Sequence, residues 1–221
     1  MKKAVLAISA FLFLAAGPSL AQVRADAGYL HSMMFDYSNG YRANAQGFYA
    51  GAAYTYDALP YGLEAGAGLY YGYIGGKGLA ILRIMEDPVY STVSKFGSNS
   101  REEYCLAVPL NAGITAHLGD VVGLHASFGP VFTWCLDSRS YSYWADDLGA
   151  EVERNVSYFA PENNFVGYSR FDILAGGSVG VDFFGKVRLH AGAYYGLLNR
   201  SGHSNKNLHT LSMQAGVSYL F

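Results

Sequence analysis

The last eleven residues restrict the fold more than any other segment. Leu211, Met213, Ala215, Val217, Tyr219 and Phe221 alternate with Ser212, Gln214, Gly216, Ser218 and Leu220. This is period two, with one apolar face and one small or polar face, so the segment is a strand with different surroundings on its two sides. It runs about twice the five or six residues usual for a strand. The pattern recurs upstream. Val187, Leu189, Ala191, Ala193, Tyr195 and Leu197 share one face, as do Phe171, Ile173, Ala175, Gly177, Val179, Val181 and Phe183. Tyr104, Leu106, Val108, Leu110, Ala112, Ile114, Ala116 and Leu118 make a third such row. Segments near 25–37, 46–58, 62–74 and 121–136 complete a set of eight strands. Nothing between them has the length and period of an amphipathic helix, which argues against βαβ units.

Composition narrows the class. Hydrophobic residues make up 51% of the chain, charged residues 14% and aromatics 15%. That is too apolar and aromatic for a disordered chain, and a coiled coil would be dominated by Ala, Glu, Lys, Leu and Arg. A formal net charge of −2 gives nucleic acid no basic surface to bind. No stretch reaches the roughly 18 apolar residues of a helical span.

The N-terminus reads as an export signal. Lys2 and Lys3 precede an apolar run from Ala4 to Ala16, and Ser19-Leu20-Ala21 supplies small residues for cleavage after Ala21. The expected mature chain is 22–221. Connections between the expected strands alternate in length. Short ones lie near Leu59-Pro60, Gly119-Asp120 and Gly185, and longer ones span 38–45, 75–101, 137–165 and 199–208. Barrels of bacterial outer membranes have short periplasmic turns and longer extracellular loops. The expected fold is therefore all-β, an eight-stranded antiparallel transmembrane up-and-down β-barrel in the outer membrane of a Gram-negative envelope. Its lipid-facing rows would be bounded by Tyr54, Tyr56, Phe183, Tyr219 and Phe221 at one interface, and by Tyr71, Tyr73, Tyr104, Trp134 and Phe171 at the other. A soluble lipocalin-like barrel is the rival, and it would need the apolar face turned inward.

Eight strands leave a lumen that side chains fill. If Leu118 and Val122 close a three-residue turn, counting back along both strands sets Cys105 opposite Cys135, both inward. This predicts a disulfide in an oxidising compartment. No further Cys or His falls at ligand spacing, so a metal site is not expected from the pair alone. Counting back from Gly185 sets Asp182 opposite Arg188, and Glu64, Glu103, Arg170, Asp172, His117, His125 and His190 also fall on inward faces. Buried charges must pair, so Glu64, Glu103, Arg170, Asp172, Asp182 and Arg188 are expected to form a lumenal charge network. His125-Ala-Ser127 has the His-x-Ser spacing used by outer-membrane lipid deacylases, but on a face turned from lipid. Tyr141, Tyr143 and Trp144, beside acidic residues in 137–165, are candidates for surface binding, but the alternation of Tyr141/Tyr143 and Val156/Tyr158 favours strands that simply continue as a hairpin. Ile81, Leu82, Ile84 and Met85 in 75–101 suggest a short helix or plug on the rim. Nothing points to a cofactor.

Several runs resemble the PorT-like, OmpX-like family of small outer-membrane barrels. They are Tyr104-Cys-Leu-Ala-Val-Pro-Leu-Asn-Ala-Gly, Ser127-Phe-Gly-Pro-Val-Phe, Phe171-Asp-Ile-Leu-Ala-Gly-Gly-Ser-Val-Gly, Ala191-Gly-Ala-Tyr-Tyr-Gly-Leu-Leu-Asn and Val217-Ser-Tyr-Leu-Phe221. The resemblance covers about 46–221 and is architectural. It implies outer-membrane lipid as the surroundings. It also implies the barrel-assembly machinery as a partner in biogenesis, with Tyr219 and Phe221 as the assembly signal, and it leaves any extracellular or secretion-system partner unnamed. The function expected from these readings is non-catalytic: a structural or surface-binding protein acting through its outer loops. A narrow solute or ion channel is the first alternative, and a lipid-modifying enzyme the second.

Overall fold

A computed structural model describes residues 21–36, 41–56, 63–84, 93–145, 151–157, 169–201 and 207–221. The expected signal segment up to Leu20, the turn near Leu59-Pro60 and the tips of the long hairpins lie outside these residues. Nine strands are present: β1 (Ala21–Asp36), β2 (Tyr41–Tyr56), β3 (Leu63–Ile84), β4 (Val93–Leu118), β5 (Val122–Ala145), β6 (Glu151–Ser157), β7 (Phe171–Phe183), β8 (Val187–Gly196) and β9 (Leu208–Leu220). All pairings are antiparallel. Eight strands run around the wall in the order β1, β2, β3, β4, β5, β7, β8, β9, and β9 pairs with β1 to close the barrel. Closure leaves the wall itself without a free edge, and free edges remain on the extensions, along β6 and along β3 beyond Gly75.

The short turns follow from a few left-handed residues, Phe184 (φ 54°) among them. Gly119 (φ 83°) lets Leu118 pair with Val122, and Gly185 (φ 63°) lets Phe183 pair with Val187. A side chain would resist either conformation. Along each strand alternate residues point into the lumen: Arg24, Asp26, Gly28 and Leu30 on β1, for example, and Arg188, His190, Gly192 and Tyr194 on β8. The narrow interior is filled by setting large side chains over glycines. Tyr49 lies against Gly28 and Gly216, where an added Cβ would collide with its ring or with strand backbone.

The β3–β4 hairpin differs from expectation. The helix or plug expected around Ile81, Leu82, Ile84 and Met85 is replaced by strand. β3 and β4 continue as a paired ribbon to Ile84 and Val93, with Ile81 opposite Phe96, and Met85 lies outside the described residues. A ribbon pairs the backbone groups of both arms, whereas a lone short helix on the rim would leave its ends unpaired. In 137–165 the structure follows the hairpin that the sequence allows: β5 runs on to Ala145, and β6 folds back along it, with Tyr141 opposite Asn155 and Tyr143 opposite Glu153. The 38–45 connection shortens in the same way, since Asp36 pairs with Tyr41. At about 3.3 Å per residue, the 26 residues of β4 extend about 85 Å, far more than the 9–11 residues a bilayer requires.

One irregularity shapes the interior. Cys105 pairs with Cys135 but Tyr104 pairs with Asp137, so Leu136 is an extra residue, a β-bulge. Beyond it the inward parity of β5 reverses, and Ser138 points into the lumen opposite Glu103.

Candidate functional site

Among the described residues, buried polar and ionisable side chains are concentrated in the lumen. It has two charged layers. The layer near the short turns centres on Arg188, whose Nε and Nη2 donate to the two oxygens of Asp182 at 2.5 and 2.8 Å. Arg188 Nη2 also lies 3.5 Å from Glu64 Oε1, and His125 Nδ1 lies 3.6 Å from the same oxygen. Thr115 joins this group through Glu64 and, at 3.1 Å, His125. His117 shares the inward parity but is exposed at the rim. Slightly deeper, Arg24 Nε donates to Asp26 at 3.0 Å and its Nη2 donates to Tyr70 Oη at 3.2 Å, while the Tyr70 hydroxyl donates to Asp26. His190 bridges Tyr49 (2.6 Å) and Ser218 (3.1 Å).

The layer near the long hairpins is built differently. Glu103 is 1% exposed. Its Oε1 accepts from Ser138 Oγ at 3.1 Å, and its Oε2 lies 3.5 Å from Arg200 Nη1. Asp172 Oδ1 accepts from the backbone N–H of Ile173 at 2.8 Å and of Leu198 at 3.3 Å. The buried cation of this layer is Arg200. Arg170, the cation read from sequence, is exposed at the rim and donates to the Leu136 carbonyl at 3.0 Å. Asn199 explains how Arg200 reaches inward. Its Oδ1 accepts from the N–H of Ser201 and of Leu208, each at 2.9 Å, closing the base of the 199–208 connection. An Asn bonding the N–H two residues on is the usual Asx-turn signal, and Asn199-Arg200-Ser201 carries it.

Cys105 and Cys135 face each other in this layer, as counting back from the turn predicts, but stand as free thiols without the expected disulfide. Glu103 joins them. The two sulfurs and a Glu103 carboxylate oxygen all lie within 4.8 Å of one another. A search for Cys and His alone overlooks this group. The signal is Glu103-x-Cys105, two potential ligands on one face of a strand.

Between the layers lies a waist where Val131, Leu174 and Tyr194 cluster, with Ala107 packed against them. It encloses a cavity of about 140 Å³, also walled by Leu30 and Ile74. Five buried polar atoms without a hydrogen-bond partner among the described residues belong to side chains lining it: Asp26 Oδ1, Asn111 Oδ1, Asp172 Oδ2, Arg188 Nη1 and Thr210 Oγ1.

The outward face has the reverse chemistry. Phe128 is 67% exposed and Val179 64%, and Leu110, Ile114, Leu124, Leu189 and Val217 are exposed beside them. Aromatic side chains gather at both ends of this belt. Tyr219 and Phe221 make an edge contact at 5.0 Å at one end. At the other, Phe48, Tyr73 and Tyr104 are linked by ring separations of 5.6 and 5.1 Å, and Trp134 and Phe171 stand 6.2 Å apart. His125 and Ser127 are on the opposite side of the wall from this belt. His125 turns to Thr115 and Glu64, and Ser127 shares a 2.8 Å hydrogen bond with Ser178. Tyr141, Tyr143 and Trp144 lie in the β5 extension, opposite Asn155, Glu153 and Val152 of β6.

No protein-family model matches the chain, and no curated protein matches it. Among solved structures it is similar to Ail, the attachment invasion locus protein of Yersinia pestis, in complex with the heparin analogue sucrose octasulfate. The identity is 12% and the TM-score 0.41, over 92% of this chain and 100% of that one. It is also similar to Neisserial surface protein A, at 18% identity and a TM-score of 0.43, over 93% and 100%. A third is the outer membrane protein OprG from Pseudomonas aeruginosa, at 11% identity and a TM-score of 0.39, over 93% and 98%. The chain itself is an all-β protein, a closed antiparallel barrel of eight strands with one further strand, β6, folded back on β5.

Proposed function

We propose that this chain is an integral outer-membrane protein of the small eight-stranded kind, a plugged structural barrel that presents its long hairpins for binding at the cell surface. One observation carries the reading: an apolar belt bounded by aromatic rings surrounds a lumen crossed by buried ion pairs. Side chains as exposed as Phe128 and Val179, repeated around the wall, form a continuous apolar surface of the kind soluble monomers avoid. A bilayer makes that surface favourable, and a closed barrel satisfies every backbone group within it. The bidentate Arg188–Asp182 pair, with Glu64 and His125, packs the lumen on the short-turn side. The long β3–β4 and β5–β6 ribbons project beyond the belt on the other side, and Tyr141, Tyr143 and Trp144 lie on them as candidate contacts for a sugar or a basic partner.

The resemblance to PorT-like and OmpX-like barrels supports this class. It also supports recognition of Tyr219 and Phe221 by the barrel-assembly machinery, while the Lys2-Lys3 start and the Ala4 to Ala16 run support removal of the segment before Gln22 on export. The test is fractionation of expressing cells, a gel run with and without boiling, and trypsin treatment of intact cells. The expected result is an outer-membrane pellet, a band that shifts on boiling, and cleavage within 139–157 that spares the barrel. Release into the soluble periplasmic fraction would overturn the reading.

The cavity favours a second reading, a narrow ion channel. Its five unpartnered polar atoms would be satisfied by water, and a 140 Å³ space holds on the order of ten molecules. A discrete conductance in planar bilayers, altered by Arg188→Met, would favour the channel over the plug.

A further inference from the structure

We propose that Glu103, Cys105 and Cys135 form a binding site for a borderline-soft divalent cation of the zinc class. It lies inside the barrel near the long hairpins. The register brings the sulfurs together. The Cys135 N–H donates to the Arg170 carbonyl on the β7 side, at 2.7 Å, so toward β4 Cys135 belongs to a non-hydrogen-bonded pair. Such pairs hold their side chains closest, with Cα atoms about 4.5 Å apart. Glu103 lies two residues before Cys105 on the same face. The bulge at Leu136 sets Ser138 rather than Asp137 against its carboxylate.

The donor atoms, all within 4.8 Å of one another, are near the spacing a metal imposes. Tetrahedral coordination with metal–sulfur bonds of about 2.3 Å puts two sulfurs about 3.8 Å apart. The site is built to hold its ligands, since Glu103 and Cys135 are each 1% exposed and Ser138 fixes Glu103 Oε1. Outer-shell partners of this kind orient metal ligands.

Charge favours a divalent ion. Two thiolates and a carboxylate carry three negative charges, and the ion together with Arg200, 3.5 Å from Glu103, neutralises them. Binding displaces the two thiol protons to water, with no change of oxidation state. Paired thiolates select against magnesium and calcium. Glu103 and Cys105 line the 140 Å³ cavity, so a fourth position opens onto that space.

The test uses the folded full barrel in detergent, with its thiols reduced, titrated with Co(II). The expected result is one equivalent bound with strong sulfur-to-cobalt charge-transfer absorption, displaced by Zn(II), and protection of both thiols from alkylation. Cys105→Ser and Cys135→Ser each weaken binding by roughly 100-fold, and Glu103→Gln by roughly tenfold with the absorption retained. The shift on boiling verifies that each variant is folded, and the alkylation readout needs no variant at all. Absence of charge-transfer absorption in the folded, reduced protein would overturn the proposal. So would a Cys105–Cys135 bridge that reductant cannot open in the folded barrel, or unchanged affinity in folded Glu103→Gln.

Discussion

The two charged layers of the lumen do the same job by opposite means. Near the short turns, Asp182 and Arg188 are neighbours in sequence, joined by a turn with Gly185 at its centre, and their pairing is bidentate. Near the long hairpins, Glu103 meets a cation from the far side of the chain, Arg200, at a longer 3.5 Å, with Ser138 sharing the carboxylate. The first layer is a consequence of one tight turn. The second needs a bulge in β5, an Asx turn at Asn199 and a closed wall before any of its partners meet. Local pairing makes a rigid plug, and assembled pairing makes a site with spare ligands.

The contrast predicts an order of sensitivity. The largest loss belongs to Arg188→Met, which strands Asp182 and Glu64 in the wall. Removing one partner of a buried pair costs about 3–5 kcal/mol. Urea unfolding in lipid vesicles should show it, and Asp182→Asn in the same chain should restore a large part. Full stability in the single variant would mean that the plug is not held by this pair. Arg200→Met should cost less, about 2 kcal/mol, because Ser138 still donates to Glu103. Arg170→Met is its control. Exposed at the rim, it should stay within about 0.5 kcal/mol of the parent. Equal effects of the two would erase the distinction between Arg200 and Arg170. The smallest effect on the short-turn layer belongs to Gly185→Ala. No atom lies within 4 Å of the added methyl. Only the backbone conformation resists, at about 1 kcal/mol, and the Asp182–Arg188 pairing should survive with an unchanged spectrum of lumenal tyrosines.

Period two in the sequence is enough to read the eight strands of the wall and most of their inward faces, because one face of this wall is apolar and the other lines a narrow polar lumen. Counting back from Gly119 and Gly185 was enough for two registers, because a tight turn fixes its ladder. Both rules fail at the same places. Leu136 inserts a residue and reverses the parity of β5, so Ser138 and not Asp137 faces Glu103, and no pattern of apolar residues marks the insertion. Arg200 sits past the end of β8, where period two stops, and only Asn199 signals that the chain turns inward. Within 75–101, Ile81, Leu82, Ile84 and Met85 suggest a short helix or plug, yet β3 and β4 continue there as a ribbon. Pairing with a partner strand outweighs that local preference.

Closure has a consequence for the order in which the molecule can come into being. The seam joins Arg24 to Leu220 and runs along the whole of β9, so its two sides are almost the full chain apart. A ribbon of the earlier strands has two bare edges, each with a row of backbone groups that hydrocarbon cannot satisfy. No half-barrel is therefore a resting state. Loop-closure entropy across that separation is paid before the bonds of the seam reward it, so the proposed passage into a bilayer requires both edges to be sheltered until β9 pairs with β1.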